Sequence, residues 1–327
     1  MNCPKWNNYF IPLCLFTIIF SPTFGQLKYK RVEPTERVGN FSGIVHDLCF
    51  SKSGKTLIFT ESNQVCFYDM PSKAIKVSDV GHSKPILSLA LSDDSTLLVS
   101  GGLDSTVVIW NVQSGLLLKK LDFHHGVVTT VNLNNDRHLL ASGSSDRTVV
   151  VYDIPGDRIV YRIMDLKSDI TVVRFSPDGQ LLAVGTQDKL IRFYEAKTGQ
   201  LVAILDGHKD SVRDLCFTAD GHWLYSCGDD SKLIKWDIRI RNQIKIEEVQ
   251  SFGTDCLLSV DVKKDACMVA GLDSKIIVVT NFETYRGKIG VSINKIRFVP
   301  NSGSFLKLAV ATRGKGLYLM DTLQFNN

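Results

Sequence analysis

Four stretches of this chain, Ser100–Asn111 (SGGLDSTVVIWN), Ser142–Asp153 (SGSSDRTVVVYD), Val184–Glu195 (VGTQDKLIRFYE) and Ser226–Asp237 (SCGDDSKLIKWD), share one pattern. In each, an Asp sits in a tight turn and a largely apolar run follows, ending at an aromatic residue. Those residues, Trp110, Tyr152, Tyr194 and Trp236, are 42 positions apart each time. One step of 42 back from Trp110 reaches Tyr68 in QVCFYD, and steps of 43 and then 41 forward from Trp236 reach Val279 and Met320. Seven units at a nearly constant period indicate a repeat architecture rather than independent domains.

Working outward through the unit at 82–122, ILSLALS, TLLVSGG, TVVIWNV and LLLKKLD read as four short strands separated by Asp93-Asp94-Ser95, Leu103-Asp104 and Gln113-Ser114-Gly115. One such antiparallel sheet cannot bury both its faces alone. A closed ring of seven packs each sheet between two neighbours and leaves no long edge open. In the fifth unit, Ile238, Ile240, Ile244 and Ile246 alternate loosely with Arg239, Arg241, Lys245 and Glu247, which suits an outermost strand with one wet face. The expected fold is all-β, a seven-bladed propeller of four-stranded blades.

On these residues the chain resembles the WD-repeat (WD40) β-propeller family from about residue 27 to 321. The resemblance implies a hydrogen-bonded quartet inside a blade, running from a Gly-His turn to a Ser or Thr, to the turn Asp and to a Trp. It is matched by His82, Ser100, Asp104 and Trp110, and again by His208, Ser226, Asp230 and Trp236. His124, Ser142 and Asp146 form a third set in which Tyr152 replaces Trp. Asp188 and Asp273 persist in units without the His, while the first and last units have lost most of the set. The residue types are those of a hydrolytic triad, but their repetition at the blade period points to structure. The resemblance also implies closure of the last blade by an N-terminal strand, expected at Leu27–Val32. Partners in this family dock on the face of the Gly-His loops and tight turns. Here that face is projected to hold Leu103, His125, Ser145, Arg147, Lys167, Gln187, Lys189, Lys209, Asp229 and Leu272. Arg147, Lys167, Lys189 and Lys209 make a basic arc, and Leu103 and Leu272 are apolar anchors if exposed.

Residues 1–25 stand apart. Lys5 precedes an apolar run, Tyr9–Phe20, and Ser21-Pro22 then breaks it before Thr23-Phe24-Gly25. This is the layout of a secretory signal peptide cleaved between Gly25 and Gln26, leaving 26–327 as the propeller. The run falls short of the ~20 residues a bilayer span requires. The expectation is therefore a secreted or periplasmic protein without a stable membrane span, or a cytoplasmic one if the leader is misread. Asn40-Phe41-Ser42 is a glycosylation sequon in a eukaryotic host.

The rest of the composition is foldable and mild: 327 residues, 44% hydrophobic, 22% charged and a net charge of +4, which argues against a nucleic-acid binder. The six cysteines beyond the leader have apolar neighbours and no metal spacing, although Cys216 and Cys227 flank one hairpin turn compatible with a disulfide. His46, His125, His138 and His222 read as falling at different strand phases, and no hydrolase, phosphate-loop or metal motif occurs. SPDG (176–179) and TADG (218–221) read as hairpin turns with Gly at positive φ. No catalytic residue, metal or cofactor is expected. The chain reads as a non-catalytic scaffold for one or more proteins, a monomer or a subunit. The alternative is a small-molecule- or sugar-binding, or hydrolytic, propeller that uses its central channel.

Overall fold

A computed structural model describes residues 30–31, 35–39, 43–134, 136, 138–240, 244–252, 256–263, 266–280, 284–300, 307–313 and 316–321. Two short strands come first, β1 (Lys30–Arg31) and β2 (Glu36–Val38). Blade one is β3 (Leu48–Phe50), β4 (Thr56–Glu61), β5 (Gln64–Asp69) and β6 (Ile75–Val77). Blade two is β7 (Ile86–Leu91), β8 (Leu97–Gly102), β9 (Val107–Asn111) and β10 (Leu117–Leu121). Blade three is β11 (Val128–Leu133), β12 (Leu139–Ser144), β13 (Val149–Asp153) and β14 (Arg158–Ile163). Blade four is β15 (Ile170–Phe175), β16 (Leu181–Thr186), β17 (Leu190–Glu195) and β18 (Leu201–Asp206). Blade five is β19 (Val212–Phe217), β20 (Trp223–Gly228), β21 (Lys232–Asp237) and β22 (Lys245–Ser251). Blade six is β23 (Leu257–Lys263), β24 (Ala266–Gly271), β25 (Lys275–Thr280) and β26 (Thr284–Lys288), and blade seven is β27 (Ile293–Phe298), β28 (Lys307–Thr312) and β29 (Gly316–Asp321) with β2.

The expected seven-bladed ring is what forms, and its core lies between the blades. Seven apolar clusters occupy the seven interfaces: Ile58, Val65 and Phe67 of blade one, for example, pack against Ile86, Leu98 and Trp110 of blade two. The second strand of a blade is enclosed on both sides, so β16 is buried throughout, while the outermost strands are mostly exposed. This gradient is why the middle strands read as continuous apolar runs and the outer ones as mixed.

Closure differs in detail from the expectation. The last blade is completed by Glu36–Val38, paired antiparallel with β29 through Glu36 opposite Leu319 and Val38 opposite Leu317. Of the expected Leu27–Val32, only Lys30 and Arg31 are described, and they lie parallel on β26 at the outer edge of blade six. Val38 is buried among Leu317, Leu319 and Val45, so the first apolar residue able to enter the core sets where closure occurs. The fifth outer strand also begins later than expected, at Lys245; Ile238 turns into the core and Ile240 lies in the preceding bend. All six cysteines among the described residues are free, and Cys216 and Cys227 face Tyr225 and Asp214 rather than each other. Gly179 and Gly221 do hold φ of 67° and 68°. The sequon at 40–42 lies outside the described residues.

Candidate functional site

Each quartet is built from a loop, a turn and two strands. In blade two, the Trp110 indole N–H donates to Ser100 Oγ at 2.8 Å, Ser100 Oγ is 2.7 Å from His82 Nε2, and His82 Nδ1 is 2.9 Å from Asp104 Oδ1. A neutral imidazole satisfies every contact at once: the serine donates to Nε2, and Nδ1–H donates to the carboxylate. Burial pushes the His82 pKa down. Burial alone would raise Asp104, yet His82, the Ser83 amide and Thr106 hold it well below the usual carboxylate range. Blade five repeats the set, with Trp236 to Ser226 at 2.8 Å, Ser226 to His208 at 2.7 Å and His208 to Asp230 at 3.0 Å. The Asp also caps its own turn, accepting from the amide two residues on, which lets Ser105, Arg147, Lys189, Ser231 and Ser274 adopt positive φ at the same place in five blades.

The Gly before the His has a steric reason. A Cβ on Gly81 would stand 2.5 Å from the Trp110 ring, and one on Gly207 would stand 2.8 Å from Trp236. In blade three Tyr152 replaces Trp, and Phe123 takes the glycine position with its ring 6.1 Å from Tyr152. Tyr152 does not complete that quartet. Its hydroxyl lies at the far end of the ring and bonds Asp157, so Ser142 meets only His124, at 2.8 Å. His124 still meets Asp146, at 3.0 Å.

Blade four has Leu166 where the His would be, and there a cation serves Asp188 in place of the neutral imidazole. Arg192 reaches Asp188 Oδ2 at 2.7 Å and Oδ1 at 3.0 Å from a position occupied by Val108, Val150 and Ile234 in other blades. The arginine was visible in the sequence as a lone charge in an apolar run. These Ser-His-Asp chains have the atom order of a hydrolytic triad, but the serines are fully buried and each accepts or gives its proton within the blade.

Inside the ring, a second period had gone unread. Asp47, just before β3, and Ser88, Thr130, Val172, Asp214, Ser259 and Lys295 on the innermost strands stand one per blade, spaced 41, 42, 42, 42, 45 and 36. Their side chains stitch neighbouring blades: the amides of Leu89, Val131, Val173, Val260 and Ile296 donate to Asp47, Ser88, Thr130, Asp214 and Ser259. Val172 has no polar atom to offer, and there Arg174 reaches Asp214 at 2.9 Å instead. Asp214 also accepts from Lys295 at 2.8 Å, with Arg297 at 3.7 Å. Burial alone would raise its pKa, but Lys295, Arg174 and Arg297 hold it far below the ordinary range. The channel, lined by all of these one-per-blade residues except Ser259, is polar and small, about 210 Å³, and His46 stands at it beside Asp47.

On the loop face, His125, Arg147, Lys167, Gln187, Lys189 and Lys209 are exposed. Ser145 accepts from the Val127 amide, and Asp229 is held by Arg213. Leu103 and Leu272 are only half-exposed; the protruding apolar residues of this face are Val80 and Met164, 70% and 71% exposed. Asp165, Asp169, Asp206 and Asp210 share the loops of the basic residues, so the arc is mixed in charge. On the opposite face, His138 and His222 occupy one phase, two periods apart, beside Asp136 and Asp220 at 3.7 and 3.1 Å. No group of three or more His, Cys, Asp or Glu suited to a metal occurs among the described residues.

Residues 44–319 match the family described as the IFT122 first beta-propeller. The HIR1 protein of Phaeosphaeria nodorum is 32% identical over 108 residues, covering 31% of this chain and 10% of that protein. HIR1 of Cryptococcus neoformans is 50% identical over 52 residues, 16% of this chain and 6% of that protein. The guanine nucleotide-binding protein subunit beta of Schizosaccharomyces pombe is 36% identical over 70 residues, 21% of this chain and 23% of that protein. The matches thus span about a tenth of the first of these relatives.

Proposed function

Because the chain belongs to the family of the IFT122 first β-propeller, a WD-repeat fold whose members generally bind other proteins, we propose that it is a non-catalytic platform for one or more protein partners. The observation that carries this reading is the fate of its reactive-looking groups. Every Ser-His-Asp chain is consumed inside a blade, with His82, His124 and His208 buried. The channel argues against the competing small-molecule reading by size: about 210 Å³ lies below the ~300–1,000 Å³ typical of ligand pockets, and its charges pair with one another. A rigid ring loses little entropy on docking, which favours a broad surface over a pocket.

The exposed loop face with Arg147, Lys167, Lys189 and Lys209 is our candidate contact for an acidic partner surface. Cross-linking the tagged chain in its native compartment tests both points. A defined partner that is lost when Lys167, Lys189 and Lys209 become Glu supports the reading. A partner retained after that change moves the contact elsewhere, and a chain that cross-links to no protein refutes the platform.

Residues 1–25, read as a leader, support an exported, extracytoplasmic platform. A second reading, a cytoplasmic platform, is favoured by six free cysteines, since thiols persist in a reducing space. Fusing residues 1–30 to a reporter active only outside the cytoplasm separates the two: activity supports export, and silence supports the cytoplasmic form.

A further inference from the structure

An outer strand with a free edge is a template for another strand, and proteins guard such edges with charge, shortness or cover. Strands β6 and β2 have three residues each. Strand β10 carries Lys119 and Lys120, β14 carries Arg158 and Arg162, and β22 carries Glu247 and Glu248. Strand β26 is covered by β1, which also shows that the rim of this ring has room for a fifth strand.

Blade four is the exception among the described outer strands. Strand β18 opens with five uncharged residues, Leu201-Val202-Ala203-Ile204-Leu205, and among the described residues no strand lies beyond it. A register shift in its pairing with β17 puts Leu201 opposite Tyr194 and Ile204 opposite Arg192, so the two share one face of the blade. They are 47% and 52% exposed. The charges stand at the two ends and differ in sign, with Lys197 in the turn before the strand and Asp206 as its last residue. Both are exposed, and among the described residues neither is in an ion pair.

That layout is complementary to itself. A strand that is basic before its start, apolar along its length and acidic at its end meets its own opposite when a second copy runs antiparallel to it, and a two-fold axis makes every contact twice. An axis between Val202 and Ala203 sets Leu201 against Ile204 of the second copy. The same register puts Asp206 opposite Gly199 of the second copy, two residues from Lys197, close to the diagonal spacing of about 7–8 Å that a long side chain spans.

We propose that β18 is a self-docking edge: two copies of the chain pair antiparallel through it and join their four-stranded blades into one sheet. Backbone hydrogen bonding supplies the pairing, Leu201 and Ile204 the apolar contact, and Lys197 with Asp206 the ion pairs that fix the direction. Five residues on an edge bury far less than the ~800 Å² per partner of a standard interface, so the dimer is weak and forms at high concentration. The loop face stays open in it, and the inference stands apart from the platform reading.

The test is sedimentation velocity of the full chain from about 1 μM to 1 mM, with hydrogen exchange read at both ends of that range. The mass should rise toward a dimer, and exchange at Leu201–Leu205 should slow with it. Ile204→Lys should weaken the dimer about tenfold with the circular dichroism spectrum unchanged, the size expected for one interface anchor. Leu118→Lys, at an exposed residue of β10, should leave it intact. Asp206→Lys should weaken it by facing Lys197 with a like charge, and Lys197→Asp added to the same chain should restore it, since both ends then reverse together. A chain monomeric to about 1 mM, a dimer indifferent to Ile204→Lys, or a charge reversal that fails to rescue would each overturn the proposal. A native partner that stays cross-linked to the monomeric Ile204→Lys chain leaves the platform reading untouched, whichever way the dimer is decided.

Discussion

Replacing Asp214 by Asn should destabilise the ring severely, although the two side chains have nearly the same shape. The carboxylate is buried on blade five and takes Arg174 from blade four at 2.9 Å, Lys295 from blade seven at 2.8 Å and the Ser259 hydroxyl of blade six at 3.2 Å. The amide keeps one acceptor but turns a donor toward cations and leaves buried positive charge uncompensated. Breaking a buried pair from one side costs ~3–5 kcal/mol. At about 2 °C per kcal/mol for a chain of this size, that is a fall of about 6–10 °C in Tm. Adding Lys295→Met, Arg174→Met and Arg297→Met should return most of the loss, because removing the three cations together removes the unpaired charge. The pH dependence has a definite sign. Unfolded, Asp214 titrates near its ordinary 3.8; folded, it is held well below that. Its stabilisation is therefore complete above the unfolded value and is lost as pH falls below it. Urea unfolding at pH 7 and pH 3 reads both effects. A variant melting within about 1 °C of the parent, or one with the same loss of stability on acidification, would refute the reasoning.

Other consequences are equally direct. Trp110→Phe should cost ~1–3 kcal/mol by removing the indole donor from buried Ser100, whereas Tyr152→Phe should cost little, since its hydroxyl bonds the exposed Asp157; paired urea titrations compare them. Arg192→Leu should destabilise by ~1–3 kcal/mol because Asp188 loses its cation, and Leu166→His added to it should recover part of that, both read by chemical denaturation. A chain beginning at Lys30 should keep its Tm, while one beginning at Gly39 loses Val38 from the core, at ~1.5–3 kcal/mol, and should oligomerise through the bared β29 edge in size-exclusion chromatography. Thiol titration of the native chain at pH 7.5 should be slow at Cys66 and Cys216, whose pKa values burial pushes up to about 12, and prompt in urea.

The period of 42 carried the blade count, strand order and turn positions because each of these depends on neighbours in sequence. What escaped reading depends on neighbours in space. Arg192 looked like an isolated charge until the chain brought Asp188 beneath it. Tyr152 looked equivalent to Trp110, but a phenol carries its polar atom at the ring tip and an indole on its flank. Asp47 and Asp214 are four periods apart, and only the ring brings their innermost strands around one channel. His138 and His222 share a phase that lay in the numbers and went unseen because Gln180 interrupts it. The closing strand was placed too early because Leu27–Val32 has strand composition, whereas the deciding quantity is which residue fills the core beside Leu317.

The placement of these devices has its own logic. Complete or nearly complete quartets hold blades two, three and five, and Arg192 with Asp188 holds blade four. Blades six, seven and one lack the His, and links between blades hold them as well. Asp214 draws in Lys295 and Arg297 of blade seven, Ser259 binds the Ile296 amide, Asn294 reaches the Val45 carbonyl, and β1 and β2 lay the N-terminal chain across blades six and seven. A blade whose internal cross-link is lost can be held by its neighbours instead, but only through contacts that exist once the ring is closed. Damage to the closing strand should therefore loosen blades six, seven and one before it reaches the quartets.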